Sequence, residues 1–545
     1  MNYMIISGQY IDISKREIYP ANIEIENGII VSITPCFEAP EHYIMPGFVD
    51  AHIHIESSML IPTEFSKLAL VHGTIGTVSD PHEIANVLGI KGIDFMIENA
   101  KLSPLKCLFG APSCVPATSF EHSGAIISAD DIHQLLSRDD IGYLSEMMNF
   151  PGVLNNDEEI LKKIASAQFY HKPIDGHAPG LSGNDAKAYI SHGISTDHEC
   201  TSLQEALDKI SYGMKILIRE GSAAKNFDAL HPLISLFPHM CMFCSDDKHP
   251  DSLLEGHINV LVKKAIHLGY DLFDVLSIAC IHPVTHYSMP IGLLNIGDPA
   301  DFIIVDSLID FTVQSVFING KQVVQHGILQ CSIPSFSYND LSICNANLIT
   351  EKDIMLYGDT SLVHVIEAIA GQIVTGRSIY TMESINGILC SSTSDDILKI
   401  VVINRYSDSK PAIGFIKGFG LKSGAIASTI AHDSHNIIAI GVDDISIIEA
   451  VNALIEVKGG ISLYHNTLSV LPLDIAGLMS SQDAHTIANR YIEIDSLVKQ
   501  TGCIMPAPYM ALSFMALLVI PTLKLSDIGL FDGEIFQCID LIQSA

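Results

Sequence analysis

The feature that most constrains the fold is a run of eight short β-like segments between Pro46 and about residue 290. Helix-like stretches such as DEEILKKIASAQFYH and SLQEALDKISYG separate them, with apolar residues three and four positions apart as a surface helix requires. Eight such alternations are typical of a TIM barrel, with parallel strands and right-handed crossovers. An open doubly wound sheet is the main alternative, but no Gly-rich phosphate turn follows the first strand. The β-like segments are FVDAHIH, TIGTVSD, LKCLFGAPSCV, GYLSEMM, KPIDGHA, GISTDHE, MKILIRE and MCMFCSD.

The chain of 545 residues is too long for one hydrophobic core, so we expect more than one domain. Short strand-like segments precede the barrel and return after it in LLNIGDPADFIIVD and SVFINGKQVV. Further on, strands such as KIVVINRY alternate with helical segments such as ISIIEAVNALIEV. We therefore predict an α/β protein in three parts: a small β-sandwich domain from residues 1–45 and 291–335, a (β/α)8 barrel from 46–290, and an α/β-type C-terminal domain from 336–545.

The composition limits the partners and the compartment. A formal charge of -32 disfavours binding to nucleic acid, because contacts to phosphates need clustered Lys and Arg. The first twenty residues lack the basic and apolar regions of a signal peptide, and the apolar stretch MALSFMALLVIPTL is too short to span a membrane. Twelve scattered cysteines fit a reducing compartment. We expect a cytoplasmic protein that binds neither nucleic acid nor membrane.

Metal-ligating side chains end five of the eight predicted strands. Side chains at i and i+2 of a strand project to the same side, and the C-terminal rim of a TIM barrel is where active sites form. Burying four imidazoles and two carboxylates together is costly unless something binds them, and two divalent cations bridged by a carboxylate and a hydroxide would satisfy the set. The six candidates are His52 and His54 on the first strand, Glu146 on the fourth, His177 on the fifth, His198 on the sixth and Asp246 on the eighth.

These residues stand in longer blocks that resemble the adenine deaminase family of the amidohydrolase superfamily. The resemblance extends over nearly the whole chain, since three blocks of the last third resemble that family's C-terminal domain. The resemblance is specific because the similar blocks are long and occur in the same order. They are GFVDAHIHIESSML, SDPHEIANVLG, PSCVPAT, EMMNFPGVL, DGHAPGLSG, DHECTS, IREGSAA, CSDDKHPDSLLEGHI, AHDSHNIIAIG, LPLDIAGLMS and LSFMALLVIPTLKLSD.

The resemblance implies a reaction and a role for each ligand. The reaction is the hydrolytic deamination of adenine to hypoxanthine and ammonia by a metal-bridging hydroxide, within purine salvage or adenine catabolism. Manganese or iron is the implied metal, and zinc also suits mixed imidazole and carboxylate ligands. We expect a homo-oligomer, a dimer. The implied roles are His52 and His54 on the first metal, His177 and His198 on the second, Glu146 as the bridge, and Asp246 as a ligand of the first metal that also shuttles protons.

A second set of residues is predicted to contact the purine because of its position at strand ends. Attack on the ring carbon places negative charge on the neighbouring ring nitrogen, so a hydrogen-bond donor is needed there. A helix-capping role, or a role in orienting metal ligands, is an equal alternative for Asp80 and His82 in SDPHE. The predicted purine contacts are Asp80, His82, Arg219, Glu220, Ser57 and Ser58.

Several alternatives remain at this stage. The pieces H-x-E and C-x-x-C of a cytidine-deaminase zinc signature occur, but nearly two hundred residues apart and without the Pro before the first Cys. A related hydrolase for another purine or a cyclic amide, or a non-catalytic purine-binding protein, would share the same fold. The block AHDSHN, with His432, Asp433 and His435, is interpreted as a hydrogen-bonded turn in preference to a second metal cluster or a flap near the barrel mouth.

Overall fold

The computed structural model describes residues 3–334, 338 and 341–543. Its first strands form a hairpin, in which Tyr3 pairs with Glu26 and Asp12 with Glu17. Ala21, Ile23 and Ile25 alternate with less buried neighbours, so the second strand turns one face to a core. The N-terminal strands are β1 (Tyr3–Asp12), β2 (Glu17–Glu26), β3 (Ile29–Pro35) and β4 (Tyr43–Met45).

A closed barrel of parallel strands follows, which confirms the predicted fold class. The Ser195 backbone N–H donates to the Ile174 carbonyl at 2.8 Å, linking the fifth barrel strand to the sixth. Asp246 pairs in parallel with Ile53, so the eighth strand closes the ring on the first. The barrel strands are β5 (Phe48–His54), β6 (Thr74–Ser79), β7 (Lys106–Ala111), β8 (Ile141–Met147), β9 (Ile174–Gly176), β10 (Thr196–Asp197), β11 (Lys215–Arg219) and an eighth made of β12 (Cys241–Cys244) and β13 (Asp246–Asp247).

Amphipathic helices connect the barrel strands. Asp157 and Ser202 cap two of the predicted helices by accepting hydrogen bonds from first-turn N–H groups. Three short segments wind differently: 3-10 turns at Ile55–Ser58 and Pro238–Met240, and a π-helical turn at Ser277–Ile281. The helices are α1 (Pro62–Val71), α2 (His82–Leu88), α3 (Ile90–Ala100), α4 (Ala129–Leu136), α5 (Phe150–Leu154), α6 (Glu158–Phe169), α7 (Gly183–Ser191), α8 (Leu203–Ser211), α9 (Phe227–Leu230), α10 (Leu233–Leu236), α11 (Pro250–Glu255), α12 (Ile258–His267), α13 (Leu272–Leu276) and α14 (His282–Tyr287).

The segments that flank the barrel join in one sheet of eight described strands, in the order β17-β16-β15-β14-β4-β1-β2-β3. Strand β4 connects the two flanks, because it pairs in parallel with β1 and antiparallel with β14. The predicted limits of this domain, and of the other two, stay a prediction, and the limit between residues 335 and 336 lies outside the described residues. The later strands are β14 (Phe302–Val305), β15 (Val313–Ile318), β16 (Lys321–Gln325) and β17 (Ile328–Leu329).

The last third of the chain is built on a second eight-stranded sheet with helix α16 packed on it, in the order β19-β18-β23-β22-β25-β24-β26-β27. Phe514–Ala516 forms a further 3-10 turn. The helices are α15 (Glu351–Ile354), α16 (Asp444–Glu456), α17 (Ala484–Gln500) and α18 (Pro508–Ser513). The strands are β18 (Ser361–Ala368), β19 (Thr375–Met382), β20 (Ser384–Ile385), β21 (Ile388–Leu389), β22 (Leu398–Ile403), β23 (Ala412–Lys417), β24 (Ala425–Ser428), β25 (Ile437–Gly441), β26 (Gly460–His465), β27 (Thr467–Pro472), β28 (Leu523–Leu525), β29 (Leu530–Asp532) and β30 (Gln537–Cys538).

This C-terminal region packs on the barrel at the ends of its strands. The Ser480 backbone N–H donates to the Met59 carbonyl at 2.8 Å, just beyond the end of β5. Asn436 donates to the His122 carbonyl at 2.9 Å, and His249 lies 2.7 Å from the Tyr491 hydroxyl. The C-terminal ends of the barrel strands are therefore covered. Within the described part of the chain, no helix has the length and apolar character needed to cross a bilayer.

Candidate active site and metal centre

The six predicted metal ligands converge at the covered end of the barrel and form what we call the strand-end cluster. All six are buried, with at most 5% of each residue exposed. Parallel strands bring their carboxyl ends to one rim, so residues far apart in sequence become neighbours. The cluster consists of His52, His54, Glu146, His177, His198 and Asp246.

His52 and His54 share one carboxylate oxygen. Their Nε2 atoms lie 3.2 Å apart, and they lie 3.4 Å and 3.1 Å from Oδ1 of Asp246. The His54 Nδ1 atom is 3.1 Å from the Asp80 carbonyl, which accepts a hydrogen bond from that nitrogen and leaves the Nε2 lone pair free. Three donor atoms thus face one point, as a metal ligand set requires.

Glu146 lies between the two halves of the cluster. Its Oε1 is 3.3 Å from Nε2 of His54, while its Oε2 is 2.7 Å from Nδ1 of His177 and 3.2 Å from Nε2 of His198. The rings of His52 and His198 stack with centroids 4.1 Å apart, which holds the halves together. One carboxylate with an oxygen toward each pair of histidines has the geometry of a bridge between two cations.

The chemistry of the cluster fits divalent transition metals. Imidazole and carboxylate ligands suit Mn, Fe and Zn. Among the described residues, His52 Nδ1 and His177 Nε2 are buried without a hydrogen-bond partner, which is costly unless a ligand engages the cluster. Although burial alone would raise the pKa of Glu146, His177 and His198 hold that pKa well below its usual range. The Glu146 carboxylate is therefore anionic, as metal binding requires.

Arg219 holds the carboxylate of Asp246 in place. Its Nη1 donates to Oδ2 of Asp246 and to Glu199, and its Nη2 donates to Oε2 of Glu199 at 3.0 Å. Burial would raise the pKa of Asp246, but Arg219 and His52 hold that pKa well below its usual range. The guanidinium thus orients Asp246 and keeps it ionised.

Asp80 and His82 lie beside the strand-end cluster. Asp80 Oδ1 accepts from the backbone N–H of His82, the first residue of α2, at 3.1 Å, while the Asp80 carbonyl orients His54. The His82 ring is 4.5 Å from that of His54, and its Nδ1 is 3.4 Å from Oε1 of Glu146. Ser57 donates to Oδ1 of Asp247, a residue that lines the cavity, at 2.5 Å.

The structure does not bring Glu220 or Ser58 to the cavity. Glu220 directly follows the last residue of β11, and its Oε1 lies 2.9 Å from Nζ of Lys264, away from the cavity. The Ser58 hydroxyl donates to the carbonyl of Ile55 at 2.6 Å, within its own 3-10 turn. Their strand-end position in the sequence therefore does not place them among the cavity-lining residues.

A second group of buried side chains, which we call the cross-interface cluster, lies next to the first. The block AHDSHN stands at the barrel mouth and contributes three of its members. Glu83 and the nearby Glu199 were not among the predicted site residues; each directly follows a histidine of interest, in PHE and DHE, which is the only signal in the sequence. The cross-interface cluster consists of His82, Glu83, His432, Asp433 and His435.

Members of both clusters line one small cavity. Three apolar side chains of the C-terminal region, Ile373, Phe514 and Leu517, close it on the side away from the barrel. Its volume is about 20 Å³, so it has room for about one water. A larger cleft of about 790 Å³ lies at the opposite end of the barrel, near Met289 and Asn319, and contains none of these ligands.

A barrel with this arrangement of ligands defines a metal-dependent hydrolase, and residues 43–323 match the model of the Amidohydrolase family. Residues 372–537 match the Adenine deaminase C-terminal domain. Proteins named adenine deaminase are similar over nearly their whole length: 52% identical in Sulfurovum sp. (98% of this chain, 99% of that protein), 49% in Borreliella burgdorferi (99% and 100%), and 48% in Salinibacter ruber (98% and 98%). The chain therefore belongs to the adenine deaminase family.

Proposed function

We propose that the chain catalyses the hydrolytic deamination of adenine to hypoxanthine and ammonia. The observation that carries the proposal is the convergence of four imidazoles and two carboxylates at the covered end of the barrel. The choice of adenine as the substrate rests on relatives named adenine deaminase, which are about 50% identical to this chain over nearly the full length.

The residues of the strand-end cluster would hold two divalent ions, with manganese or iron as the proposed metals and zinc as a third option. His52, His54 and Asp246 face one position, His177 and His198 face the other, and Glu146 lies between them. Such ions lower the pKa of bound water from 15.7 to about 7 and so supply a nucleophile at neutral pH.

Asp246 is the residue proposed to move the proton. Its carboxylate is held ionised by Arg219, so it can accept the proton released on attack and return it to the departing amine. Its backbone has a φ of 55°, a left-handed conformation that costs free energy in a residue other than glycine and often occurs at active sites. That conformation turns the side chain toward both His52 and Arg219.

Binding of the purine is assigned to side chains that line the cavity. His82 and Arg219 carry the hydrogen-bond donors needed where negative charge develops on the ring, while Asp80 and Ser57 hold neighbouring groups in position. Closure by apolar side chains excludes water and strengthens these polar contacts. Glu220 and Ser58, which lie elsewhere, have no part in the proposal.

The test is an ammonia-release assay on the purified chain with adenine, other aminopurines and hydantoin-like cyclic amides. We expect kcat/KM to be highest for adenine, to vanish after chelation and to return on refilling with Mn²⁺. His249→Gln is the matched control, because His249 is a buried histidine outside both clusters. Preference for a cyclic amide, or activity that survives complete metal removal, would refute the assignment.

We also propose a metabolic role, a compartment and an oligomeric state for the enzyme. An aminohydrolase of free adenine serves purine salvage or adenine catabolism in the cytoplasm. The acidic composition agrees with a small-molecule partner rather than nucleic acid. A homodimer is proposed as the oligomeric state, to be measured by sedimentation of the purified chain.

A further inference from the structure

We propose that the cross-interface cluster is a third divalent-cation site, separate from the strand-end cluster, which ties the C-terminal region to the barrel. Its ligands come from two places in the chain. His82 and Glu83 begin helix α2 of the barrel, and His432, Asp433 and His435 stand about 350 residues later, before strand β25.

The donor atoms of the cluster surround one small volume. The two oxygens of Glu83 each face a histidine of the C-terminal region, Oε1 toward Nδ1 of His432 and Oε2 toward Nε2 of His435. From the other side, Nε2 of His82 lies 3.4 Å from Oε1 of Glu83 and 3.5 Å from Oδ1 of Asp433. Imidazole and carboxylate groups at this spacing are a ligand set for a first-row divalent ion.

Burial makes this arrangement costly without a cation. Every member is at most 3% exposed. Within the described residues, His432 Nε2, Asp433 Oδ2 and His435 Nδ1 make no hydrogen bond, while Nε2 of His435 has Oε2 of Glu83 as its contact. Unpartnered polar atoms are rare in protein interiors, and several in one place point to an ion.

The charge balance also favours a cation. Glu83 and Asp433 form no ion pair with a lysine or arginine in the described part of the chain, whereas Asp246 in the strand-end cluster has Arg219. Asp247 adds a further carboxylate 3.8 Å from His432 Nε2. Among the described residues, the positive partners of these carboxylates are therefore histidines, and a divalent ion would neutralise the carboxylates while using the histidines as ligands.

The loop that supplies the C-terminal ligands is held in shape by its own side of the interface. Arg405 Nη1 donates to the His435 carbonyl at 3.3 Å, and the Tyr406 hydroxyl donates to the Ser434 carbonyl at 2.6 Å. Ligands fixed in this way need little rearrangement to bind an ion.

His82 separates the two clusters. Its Nδ1 faces Asp80 and Glu146 of the barrel at 3.2 Å and 3.4 Å, while its Nε2 faces Glu83 and Asp433. Since a neutral imidazole has one lone pair, its Nε2 can bind the third ion while its Nδ1–H donates toward the strand-end cluster. For this reason the variants that test the site leave His82 intact.

The experiment counts metal ions per chain. The full-length protein is chelated, refilled with Mn²⁺, dialysed and analysed by mass spectrometry of the metal. We expect three ions in the wild type, two in His435→Gln and in Asp433→Asn, and three in the control His249→Gln. Hydrogen exchange of residues 428–436 should be slowed by Mn²⁺ in the wild type and in the control, but not in the two ligand variants.

The outcomes separate clearly and do not depend on the substrate. Two ions in the wild type, or three ions in both ligand variants, overturns the proposal. If His435→Gln fails to fold, Asp433→Asn decides, because asparagine has the same size and removes only the charge. Neither measurement uses adenine turnover, so failure of the proposed function would leave this result unaffected.

Discussion

The strand-end cluster and the cross-interface cluster use the same types of side chain but are assembled differently. The first is fixed by strands of one closed barrel, each hydrogen-bonded to its neighbours. The second exists only while the loop before β25 is docked against α2. Metal affinity at the first site should therefore depend on the barrel alone, whereas affinity at the second is coupled to docking of the C-terminal region.

The largest expected effect follows from removal of the metal ions. Refilling with Mn²⁺ should then distinguish the two sites by the order in which they bind the ion. Complete chelation should lower turnover of adenine by at least about 10³-fold, a loss of about 4 kcal/mol in transition-state stabilisation. On titration with Mn²⁺, activity should return with ions at the strand-end cluster, and protection of residues 428–436 with the ion at the other. Activity and protection that return together at every Mn²⁺ level would contradict independent sites.

Replacing the proton carrier should have the next largest effect. Asp246→Asn is expected to lower kcat by about 10²–10⁴-fold, because the amide cannot accept the proton. Both ions of the strand-end cluster should stay bound, since the four histidines and Glu146 remain. The checks are steady-state kinetics and metal content, with Asp495→Asn on α17 as the control. Near-normal turnover in Asp246→Asn would exclude the proton-transfer role.

Removal of the arginine should affect stability most. Arg219→Met leaves Glu199 and Asp246 buried without their cation, which should lower the free energy of unfolding by about 3–5 kcal/mol. Urea unfolding of the metal-free protein measures this loss. The double variant Arg219→Met, Glu199→Gln should recover part of it, because one uncompensated charge is gone. No recovery would mean that packing of the guanidinium, not its charge, is what matters.

The smallest expected effect is a pH dependence on the C-terminal side. Nζ of Lys524 donates to the carbonyls of Ile373 and Phe514 at 2.7 Å and 2.9 Å, and burial lowers its pKa to about 7. Since the unfolded chain keeps this proton up to about pH 10.5, stability should rise between pH 7 and 10.5 by up to ~1.4 kcal/mol per pH unit. The slope should be absent in Lys524→Met. Urea midpoints at pH 7.5 and 9.5 test it, and equal slopes in both proteins would contradict it.

The barrel and the convergence of the six candidate ligands could be predicted, because each candidate stands at the end of a strand and the strand ends of a barrel meet at one rim. His52 and His54 end a strand, and topology alone brings them to Glu146 and Asp246. The same rule also selected Glu220, whose side chain pairs with Lys264 and does not line the cavity. A prediction that a residue stands at a strand end therefore has to be combined with a prediction of the side to which its side chain projects.

The cross-interface cluster could not be found in this way. His432 and His435 belong to a loop whose partner, Glu83, is about 350 residues away, and only the docking of two regions brings them together. Local pattern favoured a hydrogen-bonded turn for this block. The turn is present, with its carbonyls bound by Arg405 and Tyr406, but its side chains face the barrel.

The small size of the cavity above the barrel has a kinetic consequence. A planar bicyclic base is larger than this cavity, so entry of adenine and release of hypoxanthine would require Phe514 and Leu517 to move. Every catalytic cycle would then include one movement of the C-terminal segment that admits adenine and another that releases hypoxanthine, and both movements would displace solvent. Where those movements are slower than bond breaking, turnover will fall in proportion to the viscosity of the medium and will be insensitive to isotopic substitution at the exchanged protons.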